Sequence, residues 1–302
     1  MKKLYEESDI QAIADAIRIK NGESTTYKVS EMPTAIANIS AGSVQGPYIE
    51  ETHDSSGNVT VAKLHGFIKI RPSLYNNCAQ LKQIEIPDNI TEIGSYAFNN
   101  CYNLSLNSLP DTVTEIGDYA FKRCGGIHLT CLPSNLTNIG NYIFDSCTAL
   151  ALISLPAGVT NIGSGAFVDC IHLALTTLPN GIVSIGDSAF RGCHNLALTS
   201  LPSGIKQINY STFNDCLDLA LTSLPNGITT ISGNAFYNCI ALTTICLPNS
   251  ITTINSSAFY KCTNLTTINV PWAEGEVANA PWGATNATIN YNYVEPTTEE
   301  TT

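Results

Sequence analysis

Charge is scarce in this sequence. Only 13% of the 302 residues are Asp, Glu, Lys or Arg, and 25 acidic residues against 14 Lys and Arg give a formal net charge of −11. The basic residues are scattered and form no stripe, which argues against binding to a nucleic-acid backbone or an anionic membrane surface. No apolar run is long enough to span a bilayer. We therefore expect no nucleic-acid partner and no membrane insertion.

The N-terminus lacks the features of a secretory leader. Residues 1–7 contain two lysines but run straight into acidic residues. No apolar core and no small-residue cleavage site follow, although a leader needs both. The sequence therefore predicts no signal peptide.

The residue patterns of common catalytic and metal sites are also missing. The sequence has no Cys-x-x-Cys, Gly-x-Ser-x-Gly, His-Glu-x-x-His or phosphate-binding loop, and no paired-carboxylate pattern. The histidines occupy five different environments, out of register with one another. They are His53, His65, His128, His172 and His194. We therefore predict no catalytic residue, no metal ligand, no cofactor and no enzymatic activity.

What the sequence does have is a 23-residue repeat, which runs without insertion or deletion. Each phenylalanine of the repeat lies three residues before a cysteine and five after an isoleucine. The cysteines are Cys78, Cys101, Cys124, Cys147, Cys170, Cys193, Cys216, Cys239 and Cys262. The phenylalanines are Phe98, Phe121, Phe144, Phe167, Phe190, Phe213, Phe236 and Phe259. Prolines from Pro87 to Pro271 keep the same step.

One unit reads Leu-x-x-x-x-Leu-Pro-x-x-Ile-Thr-x-Ile-Gly-x-x-Ala-Phe-x-x-Cys-x-x. The residues before the proline favour a short strand, which the proline ends by removing a hydrogen-bond donor. A second short extended piece, such as residues 228–231, places isoleucines inward. A turn at glycine follows. After it Ser95, Asp118, Asn141, Ser164 or Asp187 is predicted to cap about one turn of helix, on which Phe and Cys face one way.

Stacking of such units predicts an α/β solenoid over residues 72–270. One unit alone cannot bury its apolar face, whereas stacked units form a continuous core at a spacing of about 4.8 Å. Phenylalanine then stacks on phenylalanine, and cysteine forms a ladder of reduced, buried thiols. Nine ladder members are an odd number, so alternating disulfides would leave one thiol over.

Two cysteines fall outside the ladder. Cys131 and Cys246 stand directly before Leu-Pro, where other units have Ser, Thr or Asn. We predict that both are exposed equivalents of serine. A redox or crosslinking role is the alternative.

The Leu-Pro, Ile-Gly and Ala-Phe-x-x-Cys signatures resemble the BspA-like leucine-rich repeats. The resemblance implies a right-handed curved solenoid with a parallel strand on its concave side and short 3₁₀ or irregular segments opposite. It also implies extracellular adhesion or host interaction. Residues 196–202 and 219–225 read Leu-Ala-Leu-Thr-Ser-Leu-Pro, where the family has Leu-x-x-Ile-x-Leu-Pro, as at residues 81–87. This displacement predicts a bulged or irregular strand in the central units.

The N-terminal flank differs from the repeats. Residues 10–22 place isoleucines along one side of a predicted helix, and a second short helix is predicted near Pro33. Together with residues 31–36, they resemble the N-terminal segment of prophage-encoded tail and fibre-associated proteins of Gram-positive gut bacteria. The resemblance implies that residues 1–42 form an attachment or oligomerising element, with a homo-oligomer as one outcome.

The remaining flanks read as caps and a tail. Residues 43–71 contain a predicted hairpin that caps the first unit. Residues 271–294 are predicted to form a C-terminal cap over the last open edge, and residues 295–302 a disordered tail.

Four aromatic residues are concentrated in the C-terminal cap: Trp272, Trp282, Tyr291 and Tyr293. Aromatic ring faces suit pyranose rings, so these side chains are candidate ligand-binding residues. The alternative is that large aromatics seal the end of the solenoid. The sequence leaves both interpretations open.

These observations predict a non-enzymatic module for protein–protein or protein–glycan interaction. We favour a phage tail-associated protein that attaches through residues 1–42 and binds a protein or glycan on a bacterial or host surface. The missing leader supports this hypothesis, because virion proteins leave the cell by lysis. The alternatives are an extracellular BspA-like adhesin, exported by another route, and an inert structural spacer.

Overall fold

A computed structural model describes residues 47–294 of the chain. Within this range it contains fifteen β-strands and no α-helix. The helices predicted in residues 1–42 and the tail predicted at residues 295–302 lie outside the described residues. The strands are β1 (Tyr48–His53), β2 (Val59–His65), β3 (Lys69–Ile70), β4 (Gln83–Glu85), β5 (Glu92–Ile93), β6 (Glu115–Ile116), β7 (Asn138–Ile139), β8 (Asn161–Ile162), β9 (Ser184–Ile185), β10 (Gln207–Ile208), β11 (Thr230–Ile231), β12 (Thr244–Cys246), β13 (Thr253–Ile254), β14 (Thr267–Asn269) and β15 (Thr288–Asn290).

Each 23-residue unit forms one coil of a solenoid and contributes a two-residue strand that ends on a buried isoleucine. In β5, Ile93 is completely buried, and it pairs in parallel with Ile70 of β3 and Ile116 of β6. Because identical residues pair, β-branched side chains stack along the solenoid, where extended backbone suits them. These strands form three sheets, in the orders β3-β5-β6, β7-β8-β9 and β10-β11-β13.

A second strand, before the proline, occurs only in the terminal coils. There β4 pairs in parallel with β2, while β12, β14 and β15 form another sheet near the C-terminal end. The intervening coils have no strand at this position, apart from isolated bridges at Leu106 and Ser223. These are the coils in which the middle apolar residue stands one place earlier than in β4. The irregularity predicted for the central units is therefore confirmed.

The displaced leucine accounts for the missing strand. In β4 one inward residue, Ile84, stands between two exposed neighbours, which is the alternation that a pleated strand requires. In a central coil the inward Leu175 and Leu178 are separated by two exposed residues, so the alternation is broken. Inter-coil backbone bonding is reduced there to contacts such as Ala174 N donating to Leu152 O (3.2 Å).

The segment from glycine to cysteine is a series of turns, so the predicted helical turn is wrong. In residues 96–101, N–H groups alternate between donating to a carbonyl three residues earlier and donating to the next coil, as Phe98 N does to Ala120 O (2.8 Å). Tyr96 and Asn100 have positive φ angles of 58° and 60°. In an α-helix every N–H donates to the carbonyl four residues earlier. Here half of the N–H groups donate to the neighbouring coil instead, so a helix cannot form.

Three of the five residues predicted to cap that helix bond the next coil instead. Asp118 Oδ1 accepts a hydrogen bond from Asn141 N (2.7 Å), and Asn141 Oδ1 accepts one from Ser164 N (2.9 Å). Asp187 Oδ1 does the same for Tyr210 N (3.1 Å). These side chains therefore stabilise the stack of coils.

Phenylalanine and cysteine ladders fill the core. The eight phenylalanines are completely buried, and neighbouring ring centroids lie 5.2–5.7 Å apart. Tyr75 extends this stack in the first coil, 6.1 Å from Phe98. Each of the eight ladder cysteines from Cys101 to Cys262 donates its S–H to a backbone carbonyl of the preceding coil, at 2.8–3.1 Å. The ladder thus links adjacent coils as well as filling space.

Residues outside the repeat pack against both ends of the repeat array. On the N-terminal side, β1 and β2 form an antiparallel hairpin, and the Tyr75 hydroxyl donates to Glu51 Oε1 (3.0 Å). On the C-terminal side, Trp282 is completely buried and its carbonyl accepts a hydrogen bond from Phe259 N (2.9 Å). One hydrophobic core runs from the hairpin to these C-terminal residues.

Candidate functional site

Burial makes the cysteine ladder chemically inert. The eight thiols from Cys101 to Cys262 are buried, and burial raises their pKa, to about 12 for Cys101 and Cys262. Such thiols stay protonated near neutral pH, whereas the thiolate is the nucleophile and the metal ligand. All eleven cysteines of the chain are free thiols in the structure. The ladder therefore contributes packing and hydrogen bonds, and we place no reactive site there.

The two cysteines outside the ladder differ from each other. Cys131 is exposed, as predicted. Cys246 is half-buried in β12, because pairing with β14 places Asn269 beside it, and its sulfur accepts a hydrogen bond from Asn269 Nδ2 (3.4 Å). The expectation of exposure is therefore confirmed for Cys131 and is wrong in degree for Cys246.

The titratable residues of the described range do not converge. No group of three or more His, Cys, Asp and Glu side chains within residues 47–294 has the arrangement of a metal site. Two of the histidines lie in the hairpin, where His53 and His65 face Glu51 and Glu50 at 3.5 Å each. Over the same residues, no helix has the length and apolarity needed to cross a bilayer.

A stack of tyrosines lies on the surface formed by the glycine-to-cysteine segments of the first coils. Tyr96, Tyr119 and Tyr142 follow one another at the 23-residue step, with ring centroids 4.7 and 5.1 Å apart. Lys122 Nζ lies 5.5 Å from the Tyr119 centroid and 5.1 Å from that of Tyr142, within reach of a cation–π interaction. It also pairs with Asp145 Oδ2 (2.7 Å). We refer to the three tyrosines and Lys122 as the tyrosine stack.

The stack ends where its repeat position changes to small residues. The next equivalent residue is Gly165, and a Cβ atom there would lie 2.3 Å from Tyr142 Cε1, so the Tyr142 ring lies against this glycine. Ser188 and Ser211 follow at the same position, with φ angles of 55° and 52° that match those of the tyrosines. The backbone therefore does not require tyrosine here, and packing of the core does not either. The 23-residue spacing of these tyrosines could have identified them from the sequence.

Two of the four predicted aromatic residues of the C-terminal cap are internal. Trp282 is completely buried and donates Nε1–H to Ala278 O (2.7 Å). Trp272 is 5% exposed, and its Nε1 has no hydrogen-bond partner. Neither indole presents a ring face to solvent. Tyr291 and Tyr293, both half-buried, remain the candidates for ligand contact at this end.

A second surface is rich in hydroxyl groups. In the central coils the two outward residues before each Leu-Pro are mostly Ser or Thr and exposed, as at Thr176 and Thr199. A groove of about 380 Å³ lies at the N-terminal edge of this surface, where Gln83, Glu85 and Asn107 line it. The groove marks the change from the regular strand β4 to the irregular coils.

A parallel solenoid of 23-residue coils with buried leucine, isoleucine, phenylalanine and cysteine ladders defines a leucine-rich repeat protein. The sequence matches the BspA type leucine-rich repeat region, in six copies, over residues 68–197 and 166–277. These stretches together span more than half of the chain, and the chain belongs to this family. Solenoids of this kind generally use their extended surfaces for binding.

Several solved structures are similar to the chain. A leucine-rich cell surface protein from Faecalibacterium prausnitzii is 21% identical, with 78% of this chain and 97% of that chain covered and a TM-score of 0.37. A leucine-rich repeat protein from Bacteroides ovatus is 21% identical, with coverage of 82% and 76% and a TM-score of 0.49. The leucine-rich repeat protein of T. pallidum is 20% identical, with coverage of 72% and 88% and a TM-score of 0.37. No curated protein sequence matches the chain.

Proposed function

We propose that the chain is a non-enzymatic interaction module that binds a protein or glycan on a bacterial or host surface. The observation that carries this proposal is the tyrosine stack. Tyr96 has 39% of its area exposed and Tyr119 and Tyr142 are half-buried, although serine occupies the same position in later coils. Tyrosine is enriched at protein interaction surfaces and among the residues that contribute most of the binding free energy. The residues that repeat faithfully are buried, so partner choice depends on variable outward positions such as these.

Replacing the tyrosine stack should weaken binding to cells. The variant with Tyr96, Tyr119 and Tyr142 all changed to Ser keeps the backbone conformation that Ser188 and Ser211 already adopt. We expect the fluorescently labelled full chain to bind at least one member of a panel of Gram-positive gut bacteria and cultured epithelial cells. The triple variant should lose tenfold or more in affinity, measured by flow cytometry.

The matched control is a triple Thr-to-Ala change on the hydroxyl-rich surface, at Thr176, Thr199 and Thr222, all of which are exposed. It should leave binding unchanged. Equal losses in both variants would show that the tyrosine stack is not the contact surface. Failure of the unmodified chain to bind any cell of the panel would support an inert spacer and overturn the proposal.

We also propose that residues 1–42 attach the module to a phage tail, with the repeats directed outward. The support is the resemblance of residues 10–22 and 31–36 to prophage tail and fibre-associated proteins. Immunogold electron microscopy of induced phage particles should place a specific antibody at the tail tip or fibres. Labelling of cell envelopes but never of particles would contradict this location and favour an extracellular adhesin.

A further inference from the structure

An open slot lies at the position that follows the cysteine ladder, and Arg123, which follows Lys122 of the tyrosine stack in the chain, lines it. Tyr102, Gly125 and Thr148 occupy this position in three successive coils. Because Gly125 contributes no side chain, Tyr102 and Thr148 are separated by two coil spacings, about 10 Å of backbone. The resulting cavity has a volume of about 350 Å³, and Arg123 and Ser146 complete its lining.

Neither packing nor backbone conformation requires a glycine at position 125. A Cβ atom built there would come no closer than 3.5 Å to Thr148 Oγ1 and 3.9 Å to Tyr102 O, which are ordinary contacts. The φ angle of Gly125 is not in the left-handed region. A larger residue would simply continue the side-chain stack and fill the slot. The glycine therefore has the effect of keeping the slot open.

The walls of the slot combine an aromatic ring with hydroxyl groups. Tyr102 is 49% exposed, and its hydroxyl donates to Asn100 Oδ1 (3.3 Å), which holds the side chain on its own coil. On the opposite side, Thr148 Oγ1 lies 3.5 Å from where a Cβ atom of residue 125 would stand, and Ser146 also lines the slot. A small ligand site is usually lined by aromatic and apolar groups with a few polar groups that fix orientation, and its volume starts near 300 Å³.

Arg123 gives the slot a positive charge that the surrounding residues do not neutralise. The carboxylate of Asp145, next to Ser146 in the chain, is already bound by Lys122 Nζ (2.7 Å) and by Ser146 Oγ (2.6 Å). Arg123 itself is exposed, and the structure gives its guanidinium no ion pair among residues 47–294. A guanidinium binds a carboxylate through two parallel hydrogen bonds, so the complementary ligand is an anion.

We propose that this slot binds a carboxylate-bearing pyranose, the acidic residue of a surface glycan. The sugar ring packs against Tyr102 in the space that Gly125 leaves open, its carboxylate pairs with Arg123, and its hydroxyls reach Ser146 and Thr148. The proposal rests on the proposed function and names the ligand chemistry of one part of that surface. Uronic acids and sialic acids share this chemistry, and the test separates them.

Binding of four methyl glycosides by the full chain tests the proposal: the glucuronide, the galacturonide, the N-acetylneuraminide and neutral glucoside. We expect at least one acidic glycoside to bind with a millimolar Kd in NMR titrations, at least tenfold tighter than the glucoside. Arg123→Gln should remove this preference. Tyr102→Ala and Gly125→Thr should abolish binding. Gly181→Thr is the matched control, since a Cβ there meets only Val159 O at 3.7 Å, and it should bind as the unmodified chain does.

Three outcomes would overturn the proposal: equal affinity for the acidic and neutral glycosides, unchanged binding by Gly125→Thr, or no binding of any glycoside. If no glycoside binds while the labelled chain still binds cells, the slot assignment fails and the proposed interaction function stands. If neither glycosides nor cells are bound, both fail. Thermal unfolding midpoints of the variants within a few degrees of the unmodified chain show that any loss is local.

Discussion

Stability should collapse within about one pH unit once the pH rises above the ordinary pKa of a thiol, near 9. The cause is the cysteine ladder, whose eight thiols are buried among apolar side chains. Burial disfavours the thiolate, so the pKa of each rises, to about 12 for Cys101 and Cys262 at the two ends and well above the usual value for those between. In the unfolded chain the same thiols ionise near their usual pKa of 9.0.

The sign of this pH dependence follows from the number of thiol protons that the folded and the unfolded states bind. Between pH 9 and about 12 the folded protein retains thiol protons that the unfolded chain has lost, so the free energy of unfolding falls as the pH rises. Below pH 9 both states are protonated and the stabilising contribution is complete. Each thiol lowers the free energy of unfolding by about 1.4 kcal/mol per pH unit in this range. Eight thiols together lower it by on the order of 11 kcal/mol per pH unit. This is comparable to the whole stability of a domain, about 5–15 kcal/mol.

Urea unfolding at a series of pH values from 7 to 10.5 measures this slope. Stability should be nearly flat to about pH 8.5 and then fall steeply. Cys131→Ser, which removes an exposed thiol, should leave the curve unchanged. Cys193→Ala removes one buried thiol and should lower the slope by about 1.4 kcal/mol per pH unit, whatever it does to stability at neutral pH. A flat curve through pH 10.5 would show that the thiols are not held protonated by the fold.

The sequence predicts the ladders because they depend on periodicity alone. Residues that recur every 23 positions without insertion must occupy equivalent places in a stack, so the burial of Phe167 or Cys170 follows from the spacing. The irregular central strands follow in the same way, because the displaced leucine breaks the two-residue alternation within a single coil.

The glycine-to-cysteine segment was mispredicted because its hydrogen bonds are not local. The pattern Ala-Phe-x-x-Cys and a preceding Asp or Ser are compatible with a capped helical turn. Half of the N–H groups bond the following coil, and Asp118 bonds Asn141 there. Residues 22 or 23 positions away thus decide the local conformation. A pattern of a few consecutive residues does not reveal these hydrogen bonds between coils.

The slot beside Gly125 is not predictable from the sequence for a related reason. Tyr102, Arg123 and Ser146 lie in three different coils and become neighbours only when the coils stack. The aromatic residues that the sequence favoured, Trp272 and Trp282, are instead buried at the C-terminal end. A large aromatic residue outside the repeat pattern serves equally well to bind a ligand or to cover an exposed core, and composition does not distinguish the two roles.

Phe167→Ala should destabilise the protein by about 3–5 kcal/mol. The Phe167 side chain is completely buried, with its ring centroid 5.7 Å from that of Phe144 and 5.5 Å from that of Phe190. Removing the ring leaves a cavity that the hydrogen-bonded coils on either side cannot close, and both neighbouring rings lose a stacking partner. Urea unfolding at pH 7, followed by circular dichroism, measures the loss.

Two control variants show whether the loss of stability comes from removal of the buried ring or from any substitution in the central coils. Phe167→Leu retains most of the apolar volume and should lower the free energy of unfolding clearly less than Phe167→Ala does. Ile153→Ala, at a side chain 67% exposed, should leave the free energy of unfolding almost unchanged. Because each coil contacts only its neighbours, the cavity also weakens the coupling between the two halves of the solenoid. Phe167→Ala should therefore broaden the unfolding transition or split it in two, whereas a single sharp transition with a loss below about 1 kcal/mol would contradict the role of the phenylalanine ladder in coupling the coils.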